Sequence, residues 1–214
     1  MSDRQYFSSD PQVPSTAHSD RAHFIRLRIG ARDLVIATDS GVFARKGLDQ
    51  GTQVLIDSAA RPPRSGTFLD LGCGYGPIAL TMATHSPDAT IYAVDVNPRA
   101  QQLTIENAQR NSLTNIITTG PNGIDANIMF DLIWSNPPIR IGKKELHLLL
   151  TSWLSRLSPS GEAWLVINRN LGSDSLAVWL AEQGYYVERL TSKRGFRVLR
   201  VRPTRGPDRP ESLV

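Results

Sequence analysis

Cysteine is all but missing from this chain: Cys73 is the only one. A single thiol excludes an intramolecular disulfide and a cysteine-built zinc site. Long apolar runs are missing too. No stretch approaches the roughly 20 apolar residues that a membrane-spanning helix needs. The first twenty residues are polar and carry acids, without the apolar centre of a secretory leader. Histidine is scarce as well. His18 lies in the polar N-terminal stretch, His23 and His85 stand near element ends, and His147 sits early in a strongly apolar helical pattern. None of the four reads as a general base. These absences make a cytoplasmic location the expectation, with no metal site and no membrane partner.

Charge of one sign is only mildly in excess. The formal net charge is +4 and the sequence pI about 9.5, which suits a nucleic-acid partner without requiring one. Lys193, Arg194, Arg197, Arg200, Arg202, Arg205 and Arg209 crowd the C-terminal end, with Asp208 and Glu211 against them. That crowding fits a solvated surface and a phosphate-contacting one equally well.

What is present is enough for one domain with a single core: 214 residues, of which 40% are hydrophobic. Residues 1–22 and 204–214 are polar and are expected to lack fixed structure. Residues 23–60 read as an N-terminal extension. In it Ile25, Leu27 and Ile29 alternate with Arg26 and Arg28, Gly30-Ala31-Arg32 turns the chain, and Leu34-Val35-Ile36 returns it as a hairpin. A short helix over 49–60 follows, ended by Pro62-Pro63. Residues 61–203 then alternate between strands and helices. Strands are expected at 67–71, 90–95, 115–119, 130–134 and 163–168, and helices at 77–85, 98–111, 143–157 and 175–183. Two final strands fall near 185–190 and 196–201. Leu146, Leu149, Leu150, Trp153, Leu154 and Leu157 form one apolar helical stripe, and Trp134 also reads as core. Such alternation predicts an α/β fold with a mostly parallel sheet covered on both faces.

The chemistry concentrates at two strand ends. The first strand, Phe68-Leu69-Asp70-Leu71, runs into Gly72-Cys73-Gly74-Tyr75-Gly76, and Pro77 opens a helix. Glycines there let the backbone approach a ligand at the C-terminal end of a parallel strand. Two cofactor classes compete for such a loop. A dinucleotide site wants Gly-x-Gly-x-x-Gly facing a pyrophosphate. Here the third glycine comes one residue early, at Gly76, and Asp70 precedes the loop. A carboxylate repels a pyrophosphate but suits an ammonium group, which favours S-adenosylmethionine over NAD. The next strand ends at Asp95-Val96, and Asn97-Pro98 already supplies the following helix with its cap. Asp95 is thereby left to accept ribose hydroxyls. Cys73 reads as a small residue tolerated in a tight loop.

The fourth strand delivers Asn136-Pro137-Pro138-Ile139. Two prolines remove two N–H donors and stiffen the corner, while the residue before a proline is driven to an extended conformation. Taken alone, Asn-Pro-Pro is also an ordinary turn. Beside a cofactor, it presents an amide and bare carbonyls suited to an amino nitrogen. Holding both N–H hydrogens at the Asn136 side-chain oxygen and the Pro137 carbonyl turns the nitrogen lone pair toward a methyl donor, without a dedicated base. Arg140, Lys143 and Lys144 follow at a helix start, where cations oppose the dipole, and so point to a phosphate partner.

Asp70-Leu71-Gly72-Cys73-Gly74-Tyr75-Gly76 together with Asn136-Pro137-Pro138-Ile139 resembles the small-domain class I S-adenosylmethionine-dependent methyltransferases. The pattern is similar to the catalytic domain of bacterial 16S ribosomal RNA guanine-N2 methyltransferases. Gly41-Val42-Phe43, Ile139-Arg140-Ile141-Gly142-Lys143, Leu171-Gly172-Ser173-Asp174-Ser175-Leu176 and Gly195-Phe196-Arg197-Val198-Leu199 look like further blocks of that family. The resemblance implies a Rossmann-like seven-stranded sheet whose last strand is antiparallel. It implies S-adenosyl-L-methionine held by Asp70, Gly72, Cys73, Gly74, Gly76, Asp95 and Val96, with Asn122 near the adenine amine. Asn136, Pro137 and Pro138 would then be catalytic, Asn136 would also border the cofactor, and Ile139, Arg140 and Lys143 would meet the substrate. Ribosomal RNA is the expected partner, with guanine N2 as the acceptor. A protein glutamine or an adenine could use the same corner, and a silent RNA-binding module could use the same fold. The oligomeric state stays open.

Overall fold

A computed structural model describes residues 23–39, 47–138 and 141–204. The expectations for the two polar ends therefore lie outside the described residues, apart from Thr204, as do Gly41-Val42-Phe43, Ile139 and Arg140. A hairpin of β1 (His23–Ile29) and β2 (Arg32–Thr38) leads to α1 (Gln50–Ser58). The main sheet follows from β3 (Ser65–Leu71), α2 (Pro77–His85), β4 (Asp88–Val94), α3 (Pro98–Arg110) and β5 (Ile116–Thr119). It is completed by β6 (Phe130–Ser135), α4 (Lys143–Leu154), β7 (Leu157–Asn168), α5 (Ser173–Glu182), β8 (Tyr185–Lys193) and β9 (Phe196–Pro203). No helix among the described residues is long and apolar enough to cross a membrane.

The seven strands run in the order β5-β4-β3-β6-β7-β9-β8. β5, β4, β3, β6 and β7 pair in parallel, and β9 lies antiparallel between β7 and β8. From β3 the chain works outward through β4 and β5, then returns to place β6 on the other side of β3. Neighbouring connections therefore leave β3 and β6 toward opposite edges, which opens a crevice at their C-terminal ends. Both faces are covered. Phe68, Ile91 and Trp134 pack with the hairpin, α1, α2 and α3. Leu69, Leu71 and Ile133 pack with α4 and α5 through Leu146, Leu150, Leu176 and Leu180. Successive strand residues point to opposite faces, so one strand feeds both cores.

The hairpin is fastened by an unusual device. Asn107 on α3 and Asn111, the C-cap of that helix four residues on, lie against Ala37 and Val35, two residues apart on β2. Asn107 accepts from the Ala37 N–H at 2.8 Å and donates to the Ala37 carbonyl at 3.0 Å. Asn111 repeats the pattern on Val35 at 3.0 and 2.9 Å. Two side-chain amides thus stand in for a neighbouring strand and satisfy an edge that would otherwise invite pairing.

The helix expected over 143–157 ends earlier, at Leu154. Leu157 belongs to β7 and pairs with Phe130, so the Ser158-Pro159-Ser160-Gly161 stretch lies within a strand. The register shifts between Phe130 and Leu132. A Cβ on Gly161 would come within 2.6 Å of the Phe130 carbonyl, so the irregularity needs a glycine.

Candidate functional site

Two neighbouring strand tips build the site. Asp70 pairs with Trp134 and Leu71 with Ser135, and the Ser135 hydroxyl donates to the Leu71 carbonyl at 2.7 Å. Gly72 and Asn136, one residue further along each strand, are therefore side by side. The glycine loop curls off β3, with the Gly72 and Cys73 N–H groups both donating to the Val94 carbonyl. Gly72, Gly74 and Gly76 have φ of 78°, 58° and 91°, in the left-handed region that favours glycine. A Cβ on Gly72 would meet nothing within 4 Å, so open space lies against the loop backbone. Gly76 is held from the other side by Thr104, which is fully buried and donates to the Gly74 carbonyl at 3.0 Å.

Asp70 is fully buried beneath this loop. One oxygen accepts from the Ala79 N–H at 2.9 Å, at the third residue of α2, a capping contact that the N-cap Gly76 cannot make itself. The helix N-terminus that would face a pyrophosphate is thus already served by an internal carboxylate. The other oxygen, Oδ1, has no hydrogen-bond partner among the described residues. Burial, opposed by the Ala79 N–H and reinforced by the charge of Asp95, pushes the Asp70 carboxyl up to about 8.

Asp95 accepts from the Gly74 N–H and the Asn97 N–H, each at 2.9 Å, one on each oxygen. The Val96 N–H adds a third backbone contact, and of the four lone pairs on the two oxygens at least one is left for an incoming hydroxyl. Burial raises the Asp95 carboxyl while these backbone donors oppose it. Val96 beside it is 40% exposed. Asn122 is exposed in a 3₁₀ turn (Pro121–Gly123) past β5, two strands away from the loop. Cys73 is buried and its thiol is pushed well up by burial, so it is not a thiolate nucleophile.

The Asn136 amide is anchored in a way that spacing alone does not reveal. Its Nδ2 donates to Asp49 Oδ2 at 2.6 Å and to Thr52 Oγ1 at 3.0 Å. A carboxylate only accepts, which fixes the amide with nitrogen toward α1. Both amide hydrogens are then used, and Oδ1 is left as a pure acceptor. Asp49 is also the N-cap of α1, accepting from the Thr52 N–H at 2.9 Å. Gly51 permits the approach: a Cβ there would lie 2.9 Å from Phe196 Cε1, 3.0 Å from Asp49 Oδ2 and 3.2 Å from Asn136 Nδ2. Pro137 is buried and Pro138 exposed. The Pro138 carbonyl accepts from Ile141 N–H at 3.1 Å, while the Pro137 carbonyl accepts from no described residue outside the corner.

The structure thus brings Asp70, Gly72, Cys73, Gly74, Gly76, Asp95, Asn136, Pro137 and Pro138 to one crevice. Lys143 begins α4 and is exposed. Asp49, Gly51, Thr52, Thr104 and Phe196 are the residues that sequence reasoning missed. Asp49 does carry a local signal, as the residue that starts a helix, but its role at the corner spans 87 residues of chain. His147 stacks on Trp179 with ring centroids 3.7 Å apart. Of the C-terminal cations, Arg197 pairs with Asp174 and Arg200 with Glu162 and Glu188, and Arg202 covers the Tyr186 ring.

The family model for the methyltransferase small domain matches residues 33–200. The uncharacterized protein YbxB of Bacillus subtilis is 36% identical over 200 residues, which cover 92% of this chain and 97% of that one. Ribosomal RNA small subunit methyltransferase C of Klebsiella pneumoniae is 34% identical over 140 residues, 64% of this chain and 41% of that one. The chain therefore spans well under half the length of its ribosomal relative. Among solved structures, the T. thermophilus 16S rRNA N2 methyltransferase in complex with AdoMet and guanosine superimposes with a TM-score of 0.72 at 21% identity. That match covers 92% of this chain and 53% of the other and bears on the fold.

Proposed function

The chain belongs to the methyltransferase small domain family, and from that premise we propose that it is an S-adenosylmethionine-dependent N-methyltransferase acting on the N2 amine of a guanine in ribosomal RNA. The residues present fit that cofactor. Open space against Gly72, a buried Asp70 Oδ1 without a hydrogen-bond partner among the described residues, and the Asp95 lone pairs not taken by backbone N–H groups offer acceptors for an ammonium and for ribose hydroxyls. No arginine or lysine hydrogen-bonds to either carboxylate among the described residues, so the crevice is set for a cationic ligand and not a pyrophosphate.

When bound, the cofactor supplies an electrophilic methyl group. The chain's own contribution is acceptor geometry, and one observation carries it: Asp49 and Thr52 occupy both Asn136 amide hydrogens. Asn136 Oδ1 then accepts one N–H of the target amine, and the Pro137 carbonyl accepts the other. The anionic Asp49 polarises the amide and makes Oδ1 a stronger acceptor. Withdrawing both N–H hydrogens toward the corner loosens the amine lone pair from the ring and directs it into the crevice. No side chain needs to take a proton before transfer, in keeping with the absence of a described histidine from the corner. Arg140 and Lys143, with the apolar face of Ile139, would steady the nucleotide, and Val96 and Asn122 would flank the adenine.

The ribosomal RNA reading draws on the relative from Klebsiella pneumoniae, which is named for that substrate. Incubation with labelled cofactor and ribosomal subunits or RNA, followed by nucleoside mass analysis, tests it. N2-methylguanosine is the expected product. Label appearing only in adenine or in a protein amide would replace this substrate, and an absence of cofactor binding in calorimetry would leave a silent module.

A further inference from the structure

Resting on the RNA reading above, we infer that Lys143, Lys144, Arg169, Lys193 and Arg194 form a rim that grips substrate phosphates beside the acceptor corner. The topology gathers them at one end of the sheet. α4 begins at Lys143, just past the loop that carries Asn136. β7 ends at Asn168, and Arg169 opens the turn beyond it. The Arg169 N–H donates to the Gly195 carbonyl at 2.8 Å, which ties that turn to the β8–β9 loop holding Lys193 and Arg194. Phe196, which opens β9 after that loop, and the Asn136 amide both stand against Gly51, where a Cβ would come within 2.9 Å of the one and 3.2 Å of the other. The rim therefore borders the acceptor half of the crevice.

Charge and backbone both set these residues apart. Lys143, Lys144, Lys193 and Arg194 are exposed, as is Arg169, and none of the five is in an ion pair among the described residues. The acids of β7 and β8 and Asp174 of α5 are already engaged: Asp174 by Arg189 and Arg197, Glu162 and Glu188 by Arg200. Glu145 in the first turn of α4 is the remaining acid on these elements near the rim. The donor side differs, because Arg99 at the start of α3 is paired with Asp39 and Glu106. Cations without an ion-pair partner among the described residues thus gather on the acceptor side, around a corner whose own acid, Asp49, is bonded to Asn136.

Arg194 adds an independent sign. Lys193 pairs with Phe196, so Arg194-Gly195 is a two-residue hairpin loop with φ of 51° and 80°. That conformation favours Asn, Asp or Gly at its first position. An arginine held there against local preference indicates that its side chain is used.

Binding of a short fluorescein-labelled single-stranded oligoribonucleotide, without cofactor, tests the rim across a salt series. A variant with Arg169→Ala, Lys193→Ala and Arg194→Ala should lower affinity roughly tenfold or more and reduce the slope of log K against log salt by about 2. Arg26→Ala, on the exposed hairpin, should change neither. Arg194→Gly should raise thermal stability yet weaken RNA binding, whereas Arg194→Lys should retain most of the binding. An unaltered slope in the triple variant, or an equal loss with Arg26→Ala, would overturn the rim. Because the readout is binding, it stands or falls separately from which base is methylated.

Discussion

Asp49 Oδ2 lies 2.6 Å from the Asn136 amide nitrogen, joining the cap of α1 to the corner after β6 across 87 residues. This contact decides which end of the Asn136 amide faces the crevice. It also makes the N-terminal extension part of the site, because α1 precedes the first strand of the main sheet.

Replacing Asp49 by alanine should slow methyl transfer by roughly tenfold to a hundredfold, the range set by one charge-assisted hydrogen bond of about 1.5–3 kcal/mol. Cofactor affinity should move far less, since the Asp49 side chain hydrogen-bonds to Thr52 and Asn136, and it is the backbone of Asp49, kept in the variant, that meets Tyr75 of the glycine loop. Steady-state rates beside calorimetric titration of the cofactor separate the two, and an undiminished rate would discount the anchor.

Asn136→Ala removes the acceptor itself and should cost on the order of 10²-fold or more in kcat. Cofactor affinity should be largely spared. Asp95→Ala should do the reverse and weaken cofactor binding first. Equal losses of affinity in both variants would contradict this division of labour.

Gly51→Ala should be a functional lesion more than a structural one. Alanine is the better helix former by about 1 kcal/mol. Its Cβ, however, would stand 3.2 Å from Asn136 Nδ2 and 2.9 Å from Phe196 Cε1. The expected outcome is a thermal midpoint near that of the parent with a marked drop in turnover. Full activity would show that the corner tolerates displacement.

Asp70 should make the cofactor-free protein lose stability as pH rises. Its folded carboxyl sits at about 8 against an ordinary 3.8, raised chiefly by burial. Between those values the folded state holds a proton that the unfolded state has released, so stability falls with pH across that window. Asp70→Asn keeps an oxygen for the Ala79 N–H and removes the titration. Its melting temperature should therefore decline less between pH 5 and pH 8, as followed by circular dichroism. Parallel pH profiles for parent and variant would refute the assignment.

Most elements were legible because their signals are local. Pro77 and Pro98 begin α2 and α3, and the alternation of Ile25, Leu27 and Ile29 sets the hairpin. The 157–161 stretch was not, because Pro159 and Gly161 carry the composition of a loop, and they lie in β7 only as the irregularity between the Leu157 and Glu162 pairings with β6. The basic C-terminal run was likewise ambiguous in one dimension. Folding assigned Arg197 and Arg200 to internal acids and left Lys193 and Arg194 in solvent.

The residue order alone determined the strand–helix alternation, the glycine loop, and the identity of Asp70, Asp95 and Asn136 as the polar groups at strand ends. Periodicity and turn chemistry act over a few neighbours and can be read directly. Only the tertiary structure decided that Asp49 and Thr52 hold the Asn136 amide, that Asp70 caps α2 from beneath its own loop, and that asparagines on α3 complete the edge of β2. Those pairings join residues far apart in the chain, and their energies depend on distances of a few ångströms that exist only once the sheet has closed its order.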